Sequence, residues 1–267
     1  MLEKLDLNLE LSHQEYKLQL PGWQRRLYDL EKACWDNKIG SAVLFEGWDA
    51  SGKGSTISTL TARLDPRGFK LHSIQAPRTF EKNHPWLWRF WLRIPNYGEM
   101  AIFDQSWYGR VLVERVEKLL PEPEWRNAYH DIVEFERMLA DDGIAIVKFW
   151  LHISKKEQKR RFKELEDDPL ESWRVTKEDW KRHRKYKRYL EAAEEMIAAT
   201  DSEYAPWTIV EATCRWYARG KVFRTLITAL EARLGSAAPA THAESSGADS
   251  ELREAMERAE TATARGA

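Results

Sequence analysis

Nine consecutive residues, Gly47-Trp48-Asp49-Ala50-Ser51-Gly52-Lys53-Gly54-Ser55, contain the G-x-x-x-x-G-K core of a Walker A phosphate loop. Gly47, Gly52 and Gly54 let the backbone wrap close to phosphate oxygens, and the N–H groups from Ala50 and Ser51 to Ser55 can point at the anion. Lys53 adds a mobile positive charge. The residue after Lys53 is Gly54, where most such loops carry the Ser or Thr that holds magnesium. The metal therefore needs another oxygen. Asp49 is the natural candidate, because Mg²⁺ takes one or two carboxylates together with phosphates and water; Ser55, one position late, is weaker. The plainer alternative is that Asp49 caps nearby loop N–H groups. A second carboxylate, Asp104, closes the apolar run Met100-Ala101-Ile102-Phe103, which is the physical content of a Walker B strand. Beyond it, Arg110 and Glu114 stand one helical turn apart, so that Glu114 can hold Arg110 towards a transferred phosphate. A simple surface ion pair explains that spacing equally well.

These residues need a scaffold that brings two strand ends together. Five short β-rich runs, at 41–46, 70–76, 99–104, 144–153 and 208–212, alternate with helix-length segments, a pattern that predicts a parallel sheet covered on both faces. The first run, SAVLFE, is apolar nearly throughout and leads into the glycine-rich loop and then TISTLTARL, so the order is strand, phosphate loop, helix. Ahead of it, the spacing of Trp23, Leu27, Leu30 and Cys34, with Trp35 beside them, predicts an amphipathic helix over 22–37 that serves packing. Further helices are expected over 85–93, 106–120, 124–140, 154–166, 176–199 and 215–234. The organisation expected is an N-terminal extension over 1–21, one catalytic domain over 22–234 and a disordered tail over 235–267, within which 251–261 could form a transient helix.

Between Lys155 and Arg188 there are fourteen Lys or Arg against eight Asp or Glu, although the whole chain carries a net charge of −1. Ser154 and Glu157 form a capping-box pattern at the start of this segment, and a loop with Pro169, Trp173 and Arg174 separates it from a second basic helix. Two cationic helices joined by a loop read as a closing lid over an anion, at about 154–190. Nucleic acid is a rival anion, since Trp86, Trp88, Phe90 and Trp91 interleave with Arg89 and Arg93. Core packing of most of these aromatics is preferred, and no nucleic-acid-binding motif accompanies them.

The phosphate loop GWDASGKGS and the segment FDQSWYGR together resemble the polyphosphate kinase 2 family, whose catalytic domains combine G-x-D-x-x-G-K-G with F-D-R-S-W-Y-N/G-R. The resemblance extends through PRTFEKNHPWLWRFWLRIPNYGE and IVKFWLHISKKEQKRRF, over roughly residues 24–234, and in texture is nearest the polyphosphate:AMP phosphotransferase branch, often built of two such domains in tandem. It implies an α/β fold, a P-loop kinase-like three-layer sandwich with a parallel five-stranded sheet and a helical lid. It also implies Mg²⁺ and transfer between polyphosphate and a nucleoside mono- or diphosphate. Carried across by position, it makes Asp49 and Asp104 the magnesium-organising acids, Lys53 the phosphate-loop lysine, Arg110 a phosphate contact, and Arg161, Arg174 and Lys177 phosphate-binding residues of the lid. Gln105 departs from the pattern, standing where the family usually has Arg, and so removes a fixed charge beside the reacting phosphates. The rival functions are an ATP-dependent nucleotide or small-molecule kinase on the same fold and a non-catalytic phosphate or nucleic-acid binding module.

Composition narrows the class further. With 43% hydrophobic and 12% aromatic residues the chain can bury a sizeable core. Its longest apolar stretch, 144–153, is interrupted by Lys148 and His152 and is far short of a membrane span. The first residues, MLEKLDLNLELSHQ, lack the pattern of a secretory signal, and two cysteines are too few for a disulfide framework, so a cytoplasmic location is expected. A homo-oligomer is compatible with this composition.

Overall fold

A computed structural model describes residues 1–235. Apart from Gly235, the expected tail over 235–267 and its helix over 251–261 lie outside the described residues. The chain alternates helix and strand: α1 (His13–Asp36), β1 (Ser41–Gly47), α2 (Lys53–Thr61), β2 (Phe69–Ser73), α3 (Trp88–Trp91), β3 (Met100–Asp104), α4 (Val113–Val116), α5 (Glu122–Asp141), β4 (Ala145–His152), α6 (Lys155–Asp167), α7 (Lys177–Arg184), α8 (Tyr186–Thr200), β5 (Trp207–Glu211) and α9 (Arg215–Leu234). The five strands are all parallel, in the order β2-β3-β1-β4-β5. The fold is the α/β, P-loop kinase-like arrangement that the sequence predicts.

That order follows from burial. β1, the central strand, has six consecutive buried residues and pairs with β3 on one side and β4 on the other, where Phe45 lies opposite both Asp104 and Phe149. Edge strand β2, by contrast, is half exposed and carries Lys70 and His72. Because the chain leaves β1 for β2 and returns through β3, the connections diverge between β1 and β3. The crevice at the carboxyl ends of such strands is where open α/β sheets bind ligands. Helices α1 and α9 pair on one face through Trp23 against Phe223, ring centroids 6.0 Å apart, and Arg26 to Glu231 at 2.8 Å. On the other face α5 inserts Phe135 edge-on to Trp107 at 5.0 Å.

Several boundaries depart from expectation. Helix α1 starts at His13, nine residues before the predicted start, because Ser12 and Glu15 form a complete capping box and Pro21 falls inside the helix. Leu2 is buried, so the first residues also pack on the body. Trp35 is exposed, whereas Leu27, Leu30 and Cys34 are buried as predicted. The helix expected over 106–120 is a 3₁₀ turn (Trp107–Arg110) followed by the short α4, broken at Leu112. The helix expected over 176–199 breaks at Lys185: α7 exposes Lys177, Lys181 and Arg184, whereas α8 exposes Lys187 and Arg188 only in its first turn and then buries Tyr189, Leu190, Ala193 and Met196. Of the aromatics near Trp88, only Phe90 is fully buried and Trp91 is exposed.

Candidate active site

β1 ends at Gly47, whose φ of 133° and surroundings admit no side chain: a Cβ there would lie 2.3 Å from the Leu151 carbonyl oxygen on β4. The chain then turns through Ala50 and Gly52, both at positive φ, before α2 begins at Lys53. A floor of aromatic groups supports the turn. Trp48 stacks on Tyr186 at 3.9 Å and donates its indole N–H to Nδ1 of His152 at 3.2 Å. Burial pushes His152 down to about 4, so the ring is neutral at physiological pH and accepts the Trp48 proton, and that of Trp150 at 3.3 Å, through one nitrogen.

A cleft of 910 Å³ opens above β1 and β3, with Asp49, Gln105, Arg110, Arg89, Arg182 and Tyr189 among its walls. Asp49 lies in this wall with Arg182 of α7 3.5 Å from its carboxylate. Asp104 stands half-buried at the end of β3, and the chain immediately reverses at Gln105, whose φ is 63° and whose N–H donates to the Phe45 carbonyl at 3.0 Å. This left-handed turn carries Ser106 under the phosphate loop, where its hydroxyl donates to the buried Glu46 at 2.8 Å. Burial pushes Glu46 up to about 7, Asp104 adds to that shift, and Lys53 opposes it. Glu46 is therefore the group between the two motifs. Its only signal in the sequence is an acid closing an otherwise apolar strand.

The predicted residues fall into four groups. Asp49, Gln105, Arg110 and Glu114 share the cleft wall, and Arg110 pairs with Glu114 at 3.0 Å as its spacing predicts, with Glu124 accepting from its other arm at 3.2 Å. Lys53 is half-buried and folds back, its ammonium donating to the Gly47 and Trp48 carbonyls at 3.0 Å each. Ser51 contributes a buried hydroxyl with no protein partner, while Ser55 Oγ is exposed and bonds the Gly52 carbonyl. Arg174 and Lys177 lie exposed on the outer loop and at the start of α7, away from the cleft wall, with Arg174 paired to Glu171. Arg161 is half-buried and points its guanidinium at the Ala50, Ala212 and Thr213 carbonyls. Sequence reasoning assigned no role to Gln158 or Glu46, and pointed to Arg89 and Arg182 only as members of an aromatic-basic run and a basic helix. Arg89 is buried beneath the aromatic run, donating to the Gln75 carbonyl at 2.7 Å and facing Glu81 at 3.5 Å.

A parallel sheet of this order, with a phosphate loop after β1 and a carboxylate at the end of β3, defines a P-loop kinase-like protein. The profile of polyphosphate kinase 2 matches residues 10–237, and the chain belongs to that family. It is 44% identical over 231 residues to a polyphosphate:AMP phosphotransferase of Pseudomonas syringae pv. tomato, a match that takes in 86% of this chain and 46% of that protein. It is 39% identical to an AMP/ADP-polyphosphate phosphotransferase of Meiothermus ruber, covering 78% of each chain. The crystal structure of polyphosphate kinase 2 from Arthrobacter aurescens TC1 superposes with a TM-score of 0.85 at 29% identity, over 95% of this chain and 93% of that one. The chain thus spans about half the length of the polyphosphate:AMP phosphotransferases it matches. Among the described residues no helix is long and apolar enough to cross a membrane, and Cys34 and Cys214 are both unbridged.

Proposed function

We propose that the chain is a Mg²⁺-dependent phosphotransferase moving a phosphoryl group between inorganic polyphosphate and a nucleoside mono- or diphosphate, with AMP the favoured acceptor. The observation that carries this reading is the single cleft wall shared by Asp49 of the phosphate loop, Gln105 and Arg110 beyond β3, and Arg182 of the lid. The names of the relatives supply the donor and acceptor classes. In the forward direction the terminal P–O–P link of polyphosphate breaks and an AMP phosphate oxygen forms the new P–O bond, giving ADP and a chain one phosphate shorter. The attacking oxygen is already anionic, so no general base is needed and catalysis reduces to positioning and charge neutralisation.

The donor set fits magnesium. Asp49 on the loop after β1 and Asp104 at the end of β3 are hard oxygen donors, and such carboxylates suit an ion that completes its shell with phosphates and water. Asp49 and Asp104 would hold it, and the ion would screen the charges of donor and acceptor phosphates. Loop N–H groups and Lys53 bind one phosphate, Arg110 braced by Glu114 meets the transferred group, and Arg182 closes from α7. The reading extends to a cytoplasmic enzyme, where reducing surroundings suit the free thiols Cys34 and Cys214. The test is an incubation of purified protein with polyphosphate and each nucleoside mono- or diphosphate, with and without Mg²⁺, read by nucleotide chromatography. ADP formed from AMP only when both polyphosphate and Mg²⁺ are present is the expected result. Phosphorylation of AMP by ATP alone, with none from polyphosphate, would sink the reading.

A further inference from the structure

A loop that binds an anion through its N–H groups must turn its carbonyl oxygens outward, and each outward carbonyl needs a donor. All four carbonyls from Gly47 to Ala50 have one. Lys53 holds those of Gly47 and Trp48. The next two are held by α6. Gln158 donates to the Asp49 carbonyl at 3.1 Å, and Arg161 donates to the Ala50 carbonyl at 3.0 Å. The two side chains are three residues apart, so they leave α6 on one face.

Arg161 reaches further. Its second arm donates to the carbonyls of Ala212 at 2.7 Å and Thr213 at 2.9 Å, just past β5, and Nε donates to Glu157 at 2.7 Å. Four of its five N–H bonds therefore have protein acceptors. Glu157, bonded first by Arg160 and then by Arg161, is held down at about 2 and stays ionised. Gln158 is buried, and its carbonyl oxygen meets Nδ1 of His183 on α7 at 2.8 Å. The Ala50 backbone, at φ 59°, is a left-handed turn in a residue with a Cβ, which the surroundings must impose.

We propose that Arg161 and Gln158 are positioning residues that brace the phosphate loop from outside, so that the first two turns of α6 belong to the loop's scaffold and the moving lid begins beyond them, at α7. This assigns Arg161 a role other than the phosphate contact that family resemblance implies for it. The inference rests on the reading of residues 47–55 as the phosphate-binding loop. In this geometry a planar fork serves the Ala50, Ala212 and Thr213 carbonyls together, an arrangement that a lysine ammonium at 161 would not match.

Amide hydrogen exchange without any ligand tests this, because a residue that only contacts phosphate has nothing to hold in the empty protein. In Arg161→Ala the amides of peptides covering 46–56 should exchange about tenfold or more faster than in the parent, while those of β4 and α5 keep their protection. Gln158→Ala should do the same to a smaller degree. Affinity for inorganic tripolyphosphate should fall by about tenfold in both variants. Arg161→Lys, which keeps the charge, covers the case in which the alanine variant fails to fold, and its loop should also exchange fast. Parental loop protection in a folded Arg161→Ala or Arg161→Lys protein would overturn the inference. Exchange needs no turnover, so an inactive protein would count against the proposed reaction and leave this result standing.

Discussion

Glu136 and Glu46 are both buried carboxylates near the same parallel sheet, yet they keep different company. Glu136 accepts from Trp107 Nε1 at 2.9 Å, Tyr108 Oη at 2.7 Å and Lys148 Nζ at 2.8 Å, while fully buried Lys148 also donates to Tyr108 Oη at 3.0 Å and the Thr200 carbonyl at 2.8 Å. Burial pushes the Glu136 acid up and the Lys148 ammonium down, and each charge resists the other's shift. That network is closed: its donors and acceptors are matched, and although Trp107 also lines the cleft, neither Glu136 nor Lys148 reaches the cleft wall. Glu46 has one protein hydrogen bond, from Ser106, and borders the cleft, with Lys53 and Asp104 acting on it. The contrast separates polar groups that fix a fold from polar groups left available for a ligand. A saturated buried network specifies packing, whereas charges that face an open wall supply chemistry.

Four experiments can break or sharpen that division, beginning with the largest effect. Asp49→Asn and Asp104→Asn should each lower phosphoryl transfer by about 10³-fold, the scale of losing one transition-state stabilising group in a closed site, with the melting temperature unchanged. Their magnesium titrations should shift to higher concentration, because an amide is a poorer ligand for a hard cation. Lys53→Ala should match them in rate. It should also loosen the loop, since the half-buried ammonium bonds two loop carbonyls. A loss of fold in the Asp variants would mean that these carboxylates belong with Glu136.

Lys148→Met approaches from the other side. It leaves Glu136 buried without its cation, and removing one partner of such a pair costs about 3–5 kcal/mol. For a chain of this size that is a fall of roughly 10 °C in melting temperature. The double variant with Glu136→Leu should recover part of the loss, because the unpaired charge goes with it. Activity per folded molecule at low temperature should stay within about twofold of the parent, as expected of a group remote from the reacting phosphates. A large rate effect without a stability effect would join the network to the site.

How far these roles were readable depends on how local their cause is. The glycine-rich turn after β1, the carboxylate that ends β3 and the Arg110 and Glu114 pair are set by residues a few positions apart, and their geometry follows that spacing. The central strand declares itself by being apolar throughout. Lys148 reads in sequence only as an interruption of an apolar run, because its partners come from residues 108, 136 and 200. Arg161 looks like one more lysine or arginine on a basic helix, and its role arises only where α6 crosses the loop and the end of β5. The helix break at Lys185 had no glycine or proline to announce it; buried Tyr186 and Tyr189 turn α8 into the core instead.

Glu31 offers a smaller, pH-dependent check. It sits buried on α1, with one oxygen accepting the Asp65 N–H at 2.8 Å and the other unpartnered, and burial pushes its acid up to about 7. The folded protein therefore holds a proton that the unfolded chain has released, so this residue's contribution to stability falls as pH rises from about 4.5 to about 7. Glu31→Gln removes that slope. Its melting temperature relative to the parent should rise between pH 5 and pH 8, by the equivalent of at most about 3 kcal/mol. A difference that stays flat with pH would show that Glu31 ionises normally in the fold.

The smallest effect belongs to Gln105, where the motif leaves the pattern of the family. Its backbone is left-handed, its N–H is bonded to Phe45, and its side chain borders the cleft near Arg110. Arginine is no worse than glutamine in that backbone conformation, so the substitution tests charge rather than strain. An arginine would add a planar donor fork where a neutral amide now stands. Gln105→Arg should therefore raise turnover with polyphosphate several-fold, about 1 kcal/mol of barrier. The gain should be limited because Arg89, Arg110 and Arg182 already line the same wall, and a fourth guanidinium meets their repulsion before phosphate neutralises it. That competition has its own signature: the advantage of the variant should grow as added salt screens the unliganded site, up to the point where salt weakens phosphate binding itself. Steady-state rates of both proteins at matched Mg²⁺, across a salt series, measure it. A rate at or below the parent's at every salt concentration would show that the wall is built around the neutral amide.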